Sequence, residues 1–165
     1  MSETELRKGL GDFNSIVCFR SIVTGLEKIM GKEAARGNLI RAGCLRGLQI
    51  VKELNLENTY KSVSEWSALV AEAVGEKGTR LCTIERIEEG EGTYHAYLSD
   101  TICSAGEEPG SEQKLSFTQG AVQGAIEGAT GHRLAGVQTG SVLRGDDYDI
   151  IEFKIRKKGV NTRSH

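Results

Sequence analysis

Between Phe117 and Gly136 the sequence runs FTQGAVQGAIEGATGHRLAG, with Gly120, Gly124 and Gly128 four residues apart inside an otherwise helical pattern. Each glycine in a helix interior costs roughly 1 kcal/mol relative to alanine. A spacing of four puts all of them on one face. Ala121, Ala125 and Ala129 line the next ridge. Such a helix offers a smooth surface to something that comes very close. In a membrane the pattern lets two helices touch, but Gln119, Gln123 and Glu127 intervene here, so this is not a membrane helix. The ridge faces another helix, a sheet or a planar ligand. Two readings follow: tight packing of helix on sheet, or room left for an apolar ligand between them.

Helices precede this element and hairpins flank it. From Phe13 to Met30, apolar residues (Ile16, Phe19, Val23, Leu26 and Met30 among them) recur in steps of three and four, which predicts an amphipathic helix ended by Gly31. A second helix, Lys32 to Leu54, carries a stripe of Leu39, Cys44, Leu48 and Val51. Gly37, Gly43 and Gly47 interrupt it, the last two again four apart. Ser62 opens a third helix, and Glu65 completes a capping box. The pattern then changes. Thr79 to Ile87 is rich in β-branched residues and TYHAYLSD alternates after a glycine turn, which predicts a hairpin. A loop holds the only proline, Pro109. The glycine helix, Ser116 to Thr130, is closed by Gly131. A strand from Leu134 to about Leu143, the turn RGDD and the strand YDIIEFKIR make a second hairpin.

Strands joined by short turns are antiparallel. The expected fold class is therefore α+β: N-terminal helices packed on a four-stranded antiparallel sheet, with a Gly-rich helix between two hairpins. One domain is expected over residues 12–157, with flexible ends at 1–11 and 158–165.

A formal net charge of -2 over 165 residues gives no electrostatic footprint for nucleic acid. The basic run from Lys154 to Gly159 reads as a solvated chain end. No apolar run approaches the roughly 18 residues that span a bilayer, and MSETELRKGLGDF has no apolar signal core, so a cytoplasmic protein without a membrane span is expected. Cys18, Cys44, Cys82 and Cys103 include no CxxC and read as reduced, mostly buried thiols with no metal site. Cys103, at a strand-to-loop change, is expected to be the exposed thiol, and covalent attachment of a bilin is its sharper reading. No P-loop, HExxH or GxSxG motif occurs. The carboxylates gather in turns, as at Glu88, Glu89, Glu107, Glu108, Asp146 and Asp147. No cofactor is implied by a motif, and a non-enzyme is expected.

Phe117, Gly120, Gly124 and Gly131, then a strand, then GDDYDIIEFKI with Gly145, Asp146 and Phe153, form one signature; GKEAARGNLIRAG earlier forms another. On these residues the chain, from about Phe13 to Lys157, resembles the 4-vinyl reductase domain family, also called hydrocarbon-binding. The resemblance implies the fold of TRAPP vesicle-tethering subunits and, more distantly, of haem nitric-oxide sensors. It implies an apolar or tetrapyrrole-like ligand, a homodimer, and for some relatives an accessory role in chlorophyll metabolism or photosystem assembly. Many members carry cysteines around the last hairpin. Here Gln138, Ser141 and Asp149 occupy that region, so the metal-binding or cysteine-dependent version of the family's function is not implied.

The expected ligand site combines Gly43, Cys44 and Gly47 on the second helix with Phe117, Gly120 and Gly124 on the glycine helix, and His132 beyond its end. His132 also reads as a partner of the last helical carbonyls. The expected function is a non-catalytic small-molecule binding domain. The alternatives are a dimeric scaffold without a ligand and a vinyl-group reductase, which needs an electron donor for which the sequence carries no signature.

Overall fold

The structure is a computed structural model that describes residues 15–157. The ends at 1–11 and 158–165 and the first residues of the predicted first helix lie outside the described residues.

Helix α1 spans Ile16–Met30, with the Ser15 hydroxyl accepting from the Cys18 amide. Gly31 ends it and directly precedes α2, Lys32–Glu53. Helix α3, Val63–Val74, opens with the capping box of Ser62 and Glu65. Strands β1, Thr83–Gly90, and β2, Thr93–Ser99, form the first hairpin. Helix α4, Phe117–Thr130, closes at Gly131, whose φ of 77° lies in the left-handed region that glycine adopts without strain. Strands β3, Leu134–Gly140, and β4, Asp149–Ile155, form the second hairpin. The hairpins join through β2 and β4 to give one antiparallel sheet in the order β1-β2-β4-β3. This is the α+β class that the residue pattern predicts.

Two boundaries differ from expectation. The first strand begins at Thr83, not Thr79, because the amides of Leu81 and Cys82 are held by the Val74 carbonyl at the end of α3, at 2.8 and 3.4 Å. The third strand stops at Gly140, not Leu143. Its amides are taken by side chains: Ser141 N donates to Asp146 Oδ2 at 2.7 Å and Val142 N to the buried Asp149 Oδ1 at 3.1 Å. These bonds turn the chain into the short 3-10 segment Val142–Arg144.

The inner face of the sheet supplies Tyr94, Ala96, Leu98, Ile151 and Phe153 to the core. Val122 and Ile126 of α4, and Trp66, Val70 and Val74 of α3, complete it. Helix α4 is the middle layer. Gln119 Nε2 donates to the Gly136 carbonyl at 3.2 Å and Gln123 Nε2 to that of Leu134 at 3.3 Å, which stitches the helix to β3. Helix α2 packs chiefly on the other side of α4, α3 packs on β1, and α1 lies against α2.

Candidate ligand-binding site

The sequence places the ligand site on the glycine ridge. A Cβ at Gly120 would stand 2.0 Å from the Ile40 carbonyl oxygen, and one at Gly124 2.1 Å from that of Cys44. The converse holds too. A Cβ at Gly43 would stand 2.1 Å from the Phe117 oxygen and one at Gly47 2.1 Å from the Ala121 oxygen. Real Cβ atoms do not come so close to anything. The two glycine faces are therefore pressed together, main chain against main chain. This corrects the expected ligand site: Gly43, Cys44, Gly47, Phe117, Gly120 and Gly124 meet one another, and backbone atoms fill the space a ligand needs. It also corrects the packing reading, since the ridge faces helix α2 and not the sheet.

The other expected residues have ordinary partners. The Phe117 ring meets Phe19 edge to face, with centroids 6.1 Å apart. Burial pushes the half-buried Cys44 thiol up, and Glu127 adds to the rise. His132 is exposed, with Nδ1 3.1 Å from the Tyr94 hydroxyl, which donates to Glu89 at 3.3 Å. It borders a separate hollow of about 260 Å³ with Leu48, Asn58 and Glu127. Gly131 closes α4 as expected: its amide donates to the Glu127 carbonyl at 2.9 Å.

The thiols also depart from expectation. Cys18 is exposed, and Cys103 is half-buried. Cys103 Sγ lies 3.3 Å from Thr118 Oγ1 and 3.7 Å from Ser116 Oγ. Cys82 is buried, and desolvation, with Cys103 and Asp149 nearby, pushes its thiol up to about 12. Asp149 accepts from Thr101 Oγ1 at 2.9 Å, Ser104 Oγ at 3.0 Å and the Val142 amide, so it pins the loop after β2 to the last hairpin. Gln138 accepts from the Leu115 amide at 2.8 Å and donates to the Gly140 carbonyl at 3.0 Å.

Space exists instead beneath α1. That helix buries only Phe19 and Val23. Below it a cavity of about 180 Å³ has Phe19, Val23, Ile102 and Cys103 among its lining. Arg20 and Glu107 pair across its rim at 3.4 Å. A larger hollow of about 580 Å³ adjoins it at the corner of α1 and α2, and the two share Val23, Glu27, Gln113 and Ser116 as walls. The sequence reading used Phe19 and Val23 only as helix-forming positions and did not single out Ile102. The available signal was the number of large apolar residues on α1, more than one buried stripe uses.

The phenol-responsive sensory domain of the transcription activator PoxR, solved with phenol, superposes with a TM-score of 0.65 at 16% identity, covering 87% of this chain and 76% of that one. A trafficking protein particle complex subunit 3 from Naegleria fowleri, covalently bound to palmitic acid, superposes with a TM-score of 0.56 at 16% identity, covering 86% of this chain and 93% of that one. The chain thus shares the fold of a sensory domain and of a TRAPP subunit. No family model and no curated protein matches the sequence, so the narrower resemblance to 4-vinyl reductase domains rests on the residues quoted for it.

Proposed function

We propose that this chain is a non-catalytic binding domain for a small apolar molecule of about one ring, seated beneath α1. The observation that carries this reading is the cavity of about 180 Å³ lined by Phe19, Val23, Ile102 and Cys103 together with polar residues such as Arg20, Glu107 and Gln113. An apolar cavity of about 150 Å³ accommodates benzene. The fold is that of a domain solved with phenol, which supports a ligand of the same size class. A tetrapyrrole is several times larger and would have to extend into the adjoining hollow, so a single ring fits this cavity better.

The test fills the cavity. In a titration followed by amide chemical shifts, phenol and methylphenols should perturb Phe19, Ile102 and Cys103. Val23→Trp should abolish those shifts while the domain stays folded, because Val23 lines the cavity and the larger ring has that space to fill. Absence of any shift at millimolar phenol would defeat the reading.

A second reading concerns assembly, and it rests on a different observation. Val17, Ile29 and Leu45 of α1 and α2 are 71, 81 and 70% exposed. A contiguous patch of such residues marks an interaction surface, whereas scattered ones are ordinary. A homodimer through these helices is compatible with a ligand beneath α1, and it also accommodates the scaffold alternative. Sedimentation at tens of micromolar should show a dimer, and Ile29→Glu should convert it to monomer.

A further inference from the structure

The hollow of about 580 Å³ beside that cavity is polar, and its polar groups are incompletely matched. Ser141 lines it and is 2% exposed, yet its Oγ has no hydrogen-bond partner among the described residues. A buried hydroxyl without a partner is uncommon, because it loses water and gains nothing. Arg36 also lines the hollow and is half-buried. Its Nε donates to the Leu115 carbonyl at 3.0 Å and its Nη2 to Gln119 Oε1 at 2.9 Å. Both acceptors are neutral, and Arg36 takes part in none of the ion pairs among the described residues. The α2 N-terminus opens at the same place, with Lys32 and Glu33 in the wall. Its N-cap is Gly31, which has no side chain to cap it, and a helix leaves its first N–H groups without intrahelical partners and partially positive.

The remaining charges define what such a site accepts. Lys32, Lys114 and Arg144 join Arg36 as cations in the lining. Glu27, Glu33, Glu112 and Asp146 are the acids. Two of these acids are engaged: Glu27 accepts from Gln113 Nε2 at 3.2 Å and Asp146 from the Ser141 amide at 2.7 Å. The wall is therefore balanced in formal charge. Arg144 is engaged as well, its Nη1 donating to the Ser111 and Gln113 carbonyls at 3.1 and 3.3 Å, so the wall favours an anion only locally, at Arg36, and disfavours a dianion.

We propose that this hollow takes the carboxylate of a small apolar acid, the ring or chain of which lies in the adjoining cavity beneath α1. The proposal rests on the reading of that cavity as a ligand site and adds the chemical class: a monocarboxylate in place of a neutral compound. Arg36 offers the guanidinium N–H groups it does not spend on the protein. Ser141 offers a hydroxyl that otherwise stays unsatisfied.

Calorimetric titration of the full-length chain with phenylacetate, its neutral isostere phenylacetamide, phenol and inorganic phosphate tests this. Wild-type protein should bind phenylacetate about tenfold or more tighter than phenylacetamide, since a hydrogen bond to a charged group exceeds what a tenfold ratio requires. Arg36→Gln should bring that ratio to within about twofold and leave phenylacetamide unaffected. Arg36 also bonds to the fold, so Ser141→Ala is the independent check: it should weaken phenylacetate by about threefold or more with an unchanged or raised thermal midpoint. Equal binding of acid and amide, or a preference that survives both substitutions, would overturn the carboxylate site while leaving phenol binding and the cavity reading in place. Phosphate binding without phenylacetate binding would overturn it as well. Failure of phenol, acid and amide alike would remove the cavity reading and the proposal together.

Discussion

Helix α2 meets α4 with no room between them, whereas α1 stands over a cavity. The difference lies in what each helix brings to the contact. Helix α2 buries Gly43 and Gly47 beside Leu39, Ile50 and Val51, and its small residues let main chain touch main chain. What such a contact lacks in apolar bulk it recovers in close dispersion contact over a long interface. Helix α1 brings large side chains but buries only Phe19 and Val23. Bulky residues at a few points hold a helix off its support. Closely spaced glycines here mark where a protein closes up, and the opening appears beside a helix that has few of them.

The largest test of this contrast is Gly124→Leu. A single Cβ there already collides with the Cys44 carbonyl oxygen at 2.1 Å, and neither backbone can yield cheaply. Overpacking a well-packed core costs about 1–3 kcal/mol where side chains can shift, so a clash against main chain should cost more than about 3 kcal/mol, and the urea midpoint should fall accordingly. A midpoint close to wild type would mean that α2 and α4 separate easily and that the closed region is less closed than described.

A smaller effect separates crowding from backbone strain. Gly145 has φ of 97°, and a Cβ there would meet nothing within 4 Å. Gly145→Val should lower stability by about 1–3 kcal/mol through its left-handed conformation alone, again read from denaturant midpoints. Because the cost is local, ligand binding beneath α1 should persist.

The smallest effect has the opposite sign. Gly37 lies on α2 with open space around a Cβ. Gly37→Ala should stabilise the protein by about 0.5–1 kcal/mol, because alanine loses less backbone freedom in a helix. Six residues further on the same helix, glycine is obligatory. If Gly37→Ala destabilised the protein as Gly43→Ala should, the contrast between contacting and free glycines would fail.

The element order could be read because its signals are local. Ser62 and Glu65 cap α3, Gly131 ends α4, and the alternation of Tyr94, Ala96 and Leu98 marks a strand, all from the chemistry of neighbours in the chain. The faces of the glycine helices were legible too, since a spacing of four is itself geometric. What the ridge met was not legible. A glycine in sequence shows only that something comes close, and a ligand, a sheet and a helix make the same demand. The cavity was hidden for a related reason: Val23, Ile102, Gln113 and Ser116 come from segments distant in the chain, and none carries a motif.

Local propensity and hydrophobic period thus determined by themselves that the chain is α+β with two hairpins about a small-residue helix. Only the tertiary structure decided that α2 and not a ligand fills the glycine faces, and that Ser141, its hydroxyl unpartnered among the described residues, lines the same hollow as Arg36. Those facts depend on which distant segments the folded chain brings within a few ångströms, and periodicity along one segment is blind to the identity of what packs against it.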